Sequence, residues 1–130
     1  MPDMTLPAGA MTPRAARAFV SAWLSSWGLD DLRDRAELAT SELVTNAVEH
    51  AGGDVGVRIE VEDDEVRIAV TDRDDSVPVT KGVAATAQGG RGLHIVSAMS
   101  DRWGTERLGG DGKTTWCALH VDRGRPVSAS

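Results

Sequence analysis

Two runs of strict alternation decide most of what this chain can become. Val55, Val57, Ile59 and Val61 alternate with Gly56, Arg58, Glu60 and Glu62, and after Asp63 and Asp64 the pattern resumes in Val66, Ile68 and Val70. A period of two marks strands with one buried and one wet face, and the short acidic break between the runs predicts an antiparallel hairpin. The same parity places Asp72 on the buried side. A carboxylate there is costly unless it is paired or hydrogen-bonded. Either the strand ends early and Asp72 caps the following turn, or Asp72 accepts a hydrogen bond from something lodged between sheet and helices.

The cover for the buried face is helical. From Pro13, with Thr12 as cap, Ala15, Ala18, Phe19, Ala22 and Trp23 recur at helical spacing until Gly28 stops the pattern. Arg14 and Arg17 on the polar side read as solvated charges. A second helix opens near Asp30 or Asp31 and runs to about Ala51, before Gly52 and Gly53, with Leu32, Ala36, Leu43 and Ala47 as its buried stripe. Val77 to Gly89 is a weakly patterned stretch, either disordered or a functional lid. It leads into a third helix within Gly89 to Asp101, marked by Leu93 and Val96. Arg102 to Leu108 and Thr114 to Val121 read as two further strands, with Trp103 and Trp116 as core residues or cross-strand partners. The arm before Pro13 is extended and can pair at a sheet edge through Met4 to Leu6, and Arg123 to Ser130 reads as a frayed tail. The order predicts an α+β fold, a two-layer sandwich in which about three helices cover one face of a mostly antiparallel sheet. One domain spans 1–130, with its core at about 13–121.

Composition narrows the function. A formal charge of −6 argues against binding a nucleic-acid backbone, which needs clustered cations. No apolar run is long enough to cross a bilayer and the N-terminus lacks a leader pattern, so a cytoplasmic location is expected. The single cysteine, Cys117, has no companions at metal-ligand spacing and reads as core.

Chemistry concentrates in ELVTNAVEHA, Glu42 to Ala51. Glu42, Asn46 and His50 are four residues apart, so they rise along one edge of the second helix beside the apolar row. Asn46 offers a neutral oxygen that suits a hard cation already carrying phosphate oxygens, and Glu42 is placed to take a proton. The plain alternative is a solvated helix face. GGRGLHIV, Gly89 to Val96, puts glycines at a helix start, where free amides and the positive end of the helix dipole suit phosphate, or where glycines serve only as loop and cap residues.

These separated signals together resemble the histidine-kinase-like ATPase fold shared with gyrase and the Hsp90 chaperones. The chain looks most like the anti-sigma regulatory factors that are serine protein kinases, in the form abundant in actinobacteria. ELVTNAVEHA matches that family's N box, VTDRDDSVP (Val70 to Pro78) its first glycine box in altered form, GGRGLHIV the second, and GDGKTTWCALHV (Gly110 to Val121) the closing segment. The resemblance implies ATP and Mg as cofactors, with Asn46 as the Mg ligand and Asp72 as acceptor for the adenine amino group. Gly90, Gly92 and Leu93 would wrap the phosphates at the helix start, and Arg91 would neutralise phosphate charge or point into solvent. Glu42 would be the catalytic base, His50 a supporting or simply packed side chain, and Thr114 an adenine contact through water. The implied partners are a sigma factor and an antagonist protein carrying the target Ser or Thr, with neither nucleic acid nor membrane. Dimerisation in the family implies a homodimer as one expectation.

Two departures keep a second reading open. Asp74 and Ser76 stand at glycine positions of the first box, adding a carboxylate and restricting the backbone, and Gln88 stands where kinase members tend to carry arginine. The alternative to a kinase is a catalytically inactive nucleotide-binding module that captures a protein partner stoichiometrically.

Overall fold

The computed structural model describes residues 2–50, 53–72, 88–107 and 112–121. Strand β1 (Asp3–Leu6) leads into helix α1 (Thr12–Ser26), a 3-10 turn at Asp30–Leu32 and helix α2 (Arg33–His50). Strands β2 (Val55–Glu62) and β3 (Glu65–Asp72) follow, then helix α3 (Gln88–Met99) and strands β4 (Arg102–Arg107) and β5 (Lys113–His120). The strands form one antiparallel sheet in the order β1-β2-β3-β5-β4. This is the α+β architecture that the sequence implies.

The alternating runs form the expected hairpin, with Glu62 opposite Glu65 across the two-residue loop. Asp63 takes the left-handed region there, φ 56°, a conformation that Asp tolerates better than most residues. Val55, Val57, Ile59, Val66, Ile68 and Val70 are all at most 1% exposed, and β5 adds Cys117 and Leu119 from the same face. Burial pushes the Cys117 thiol up to about 12, the Ile68 backbone hydrogen bond opposing only part of that shift, so Cys117 is inert core. The arm residues Met4 to Leu6 do pair at the edge of the sheet, against Val57 to Val55.

The stripe read for the second helix is buried: Ala36, Leu43 and Ala47 on α2, joined by Ala39 and Val44, with Leu32 in the preceding 3-10 turn. On α1 the stripe differs. Thr12, Ala16, Val20 and Leu24 face the core, while Ala18 and Ala22 are exposed. The branched side chains bury more apolar area than the alanines and so set the helix rotation. Thr12 is not the cap; it lies in the first turn with Pro13, and its hydroxyl donates to the Pro7 carbonyl at 2.6 Å. Arg17 is also not merely solvated: its guanidinium donates to the Ser41 hydroxyl at 3.0 Å, tying α1 to α2.

The β4–β5 register pairs Trp103 with Cys117 on the inner face and Gly104 with Trp116 on the other, so the tryptophans are not cross-strand partners. Trp103 packs against the core, whereas Trp116 lies on the open face beneath Arg67, whose guanidinium carbon is 4.1 Å from the ring centroid. A β-carbon at Gly104 would come within 3.0 Å of that ring, so glycine there lets the indole lie flat on β4.

Two stability outcomes follow. Thr40 is fully buried on α2 and its hydroxyl has no hydrogen-bond partner among the described residues. Thr40→Val is therefore expected to stabilise the fold by about 1 kcal/mol, read from denaturant melts. Arg102 makes a two-pronged pair with Glu65, at 2.9 and 2.8 Å, and these hydrogen bonds hold the Glu65 carboxyl below its ordinary 4.5. A lowered folded value means stability that is present above the unfolded value and lost as pH falls through the folded one. Glu65→Gln should therefore lower stability slightly at neutral pH and flatten the acid-side loss, so that variant and parent converge as pH falls, read from denaturant melts across the acid range.

Candidate functional site in the helix–sheet layer

The two polar side chains on which the nucleotide expectation turns are both buried, on elements that pack against each other. Helix α2 lies on the inner face of the sheet, where it meets β3. Asp72 extends β3 to its last residue and is 3% exposed, so the strand does not stop short and the side chain stays on the inner face after Val66, Ile68 and Val70. Asn46 is 9% exposed on α2, and no hydrogen bond joins its amide to another described residue. Among the described residues the one enclosed side-chain polar atom without a partner is the Thr40 hydroxyl, so the Asn46 amide keeps contact with solvent. An accessible amide with no bond to another described residue fits a cation that carries phosphate oxygens. Glu42, one turn earlier on the same edge, is half-buried.

Asp72 has a partner that the sequence reading missed. Lys113 sits directly opposite it in the β3–β5 register, and its ammonium lies 3.1 Å from each carboxylate oxygen. At 1% exposure Lys113 is among the largest fully buried side chains. The signal was present in the parity of β5: counting back from Leu119 through Cys117 and Thr115 arrives at Lys113 on the inner face. The same count places Thr114 on the other face. Its hydroxyl lies 2.8 Å from that of Thr71 on the open face, away from Asp72, and Thr115 carries the inward hydroxyl instead.

The glycines of the second box are inside a helix rather than before it. Helix α3 starts at Gln88, so the amides of Gly89, Gly90 and Arg91 belong to its first turn, where backbone donors lack helical acceptors, and Gly92 and Leu93 come just after. The side chains of Arg91 and Leu93 lie outside the described residues, as do that of His50 and the whole of 73–87, which includes Asp74, Ser76 and the lid stretch.

Among the described residues no group of three His, Cys, Asp or Glu could hold a metal ion. A hard cation at Asn46 would therefore draw most of its ligands from phosphate oxygens and water, the usual arrangement for Mg2+. A cavity of about 530 Å3 lies on the open face instead, bordered by Arg58, Arg67, Thr71, Thr114 and Trp116. Neither Asn46 nor Asp72 lines it.

The buried pair generates a test of its own. Breaking it from one side leaves an uncompensated buried charge, so Asp72→Leu or Lys113→Met should each lower stability by about 3–5 kcal/mol. The double variant should recover most of that loss, measured as a double-mutant cycle in urea.

With the geometry established, comparison with known proteins places the chain. Residues 6–119 match the histidine kinase-like ATPase domain family. The serine-protein kinase RsbW of Staphylococcus aureus is 30% identical over a 119-residue alignment that covers 76% of this chain and 74% of that protein. The RsbU and RsbW domains of Rv1364c from Mycobacterium tuberculosis superpose with a TM-score of 0.66 at 24% identity over 93% of this chain, which spans 33% of that longer one. The catalytic domain of the histidine kinase ThkA superposes with a TM-score of 0.56 at 15% identity, covering 92% of this chain and 96% of that one. The two structural likenesses are likenesses of fold. Taken with the family match and the sequence relative, they make the chain a member of the histidine kinase-like ATPase family, and within it of the anti-sigma regulatory kinases of the RsbW type.

Proposed function

We propose that the protein is an ATP- and Mg2+-dependent anti-sigma regulator that phosphorylates a Ser or Thr of an antagonist protein and sequesters a sigma factor. The observation that carries the reading is the Asn46 amide, accessible and not hydrogen-bonded to any described residue, on a helix packed against the strand that ends in buried Asp72. The likeness to serine-protein kinase RsbW supports it. When bound, Mg2+ neutralises phosphate charge and holds the triphosphate for in-line transfer. Asn46 would orient the cation through its side-chain oxygen. The first-turn amides of α3 would donate to phosphate oxygens along the helix axis. Asp72 would accept from the purine amino group. Glu42 would take the proton from the attacking hydroxyl, its half-buried place on the Asn46 edge leaving it open to a substrate side chain. A cytoplasmic location suits these partners, and a homodimer suits the family.

A second reading has an observation in its favour. Lys113 already holds the Asp72 carboxylate, and the first-box positions Asp74 and Ser76 lack the usual glycines. Both features oppose tight nucleotide binding and favour a module that acts by stoichiometric capture.

One experiment separates the two. Glu42→Gln should reduce phosphate incorporation into an antagonist domain by about a hundredfold or more, within the range of general base effects, while ATP and Mg2+ still raise the melting temperature. Equal incorporation in variant and parent would remove Glu42 from the mechanism. A thermal shift with no incorporation in the parent would support the capture module.

A further inference from the structure

We propose that Lys113 sets the nucleotide affinity and base selectivity of this cleft by holding the Asp72 carboxylate as an internal counter-ion. The inference rests on the nucleotide reading given above. It arises from a position, not from a motif: β3 and β5 place Lys113 and Asp72 at one register pair on the inner face, near the ends where the chain leaves β3 and enters β5.

The ammonium is equidistant from both carboxylate oxygens, 3.1 Å to each, so it stands in front of the carboxylate rather than to one side. A single donor reaching either oxygen meets this cation first. The lysine stem is buried as well, at 1% exposure, so the ammonium is held by packing and does not sway like a surface lysine. Charge compensation then weakens the acceptor. A purine amino group is a neutral donor, and it gains more from a lone carboxylate than from one already neutralised by an ammonium in a low-dielectric layer. Moving the ammonium aside restores the acceptor but breaks a buried ion pair, which lowers the apparent affinity. By either route this chain reads the 6-amino group less sharply than Asp72 alone would. A small neutral side chain at position 113 takes this ammonium away from the carboxylate.

The test is equilibrium binding by calorimetry with Mg2+, comparing ATP with purine riboside triphosphate, which lacks only the 6-amino group. The natural chain is expected to bind the two within about threefold of each other. Lys113→Thr is expected to bind ATP about tenfold more tightly and to separate the two nucleotides by about tenfold or more, the range of one hydrogen bond to a charged acceptor. Discrimination of tenfold or more in the natural chain would overturn the proposal. So would ATP binding that is unchanged or weaker in Lys113→Thr, since Lys113 would then be a spectator or itself a base ligand. Circular dichroism checks that the variant folds, and where it does not, the ratio measured on the natural chain decides alone. No binding of either nucleotide by either protein overturns the nucleotide reading and this inference with it, whereas binding with the wrong ratio overturns only the inference.

Discussion

The register of β3 on β5 is the constraint from which the rest of the layer follows. It seats Val66 opposite Leu119, Ile68 opposite Cys117 and Val70 opposite Thr115, and it brings Asp72 and Lys113 together at the end of the same row. A slip of one residue would turn every one of these side chains to the open face at once. Core and ion pair are therefore specified together. A buried ion pair contributes little net stability after its desolvation cost, but it penalises any register in which either charge is left alone. In this sheet the charges act on uniqueness more than on strength.

Helix α2 answers that sheet with two faces of different purpose. Ala36, Leu43 and Ala47 seal the core, while the edge through Glu42 and Asn46 carries groups whose hydrogen bonds the described fold leaves unmade. Thr40 and Asn46 show the difference between an orphan without access and one with it. The Thr40 hydroxyl is wholly enclosed and gains nothing from a ligand, whereas Asn46 keeps 9% of its surface exposed. The hydrogen bond from Arg17 to Ser41 fixes α1 against α2 one residue from Glu42, so the helix pair is held rigid beside the proposed base. Rigid support of this kind is what a positioning-dominated reaction needs.

Much of the architecture was legible because period-two alternation leaves few choices. The hairpin, the inner-face position of Asp72 and the stripe of the second helix came from spacing, and the edge pairing of the arm from its prolines and lack of period. Three misreadings have physical causes. On α1, counting alanines hid the heavier Val20 and Leu24, which decide the rotation. Trp116 was read as a core residue or a cross-strand partner, yet its amphipathic ring lies on the open face beneath Arg67 and flat against Gly104. Lys113 was passed over because an isolated lysine reads as solvated, and attention went to the neighbouring Thr114. Only the strand parity, carried through to its end, separates the two. The resemblance to a family supplied roles for Asn46, Asp72 and Glu42, but it could not show that Asp72 is held by a lysine.

The central claim is that α2 and the inner face of the sheet enclose a nucleotide site. The most direct measurement is a two-dimensional amide NMR titration with ATP and Mg2+ that also follows the Asn46 side-chain resonances. The account requires shifts at the Asn46 amide, at the ends of β3 and β5 around Asp72 and Lys113, and along the first turn of α3. Shifts confined to Thr71, Thr114 and Trp116 on the open face, or no shifts at saturating nucleotide, would contradict it.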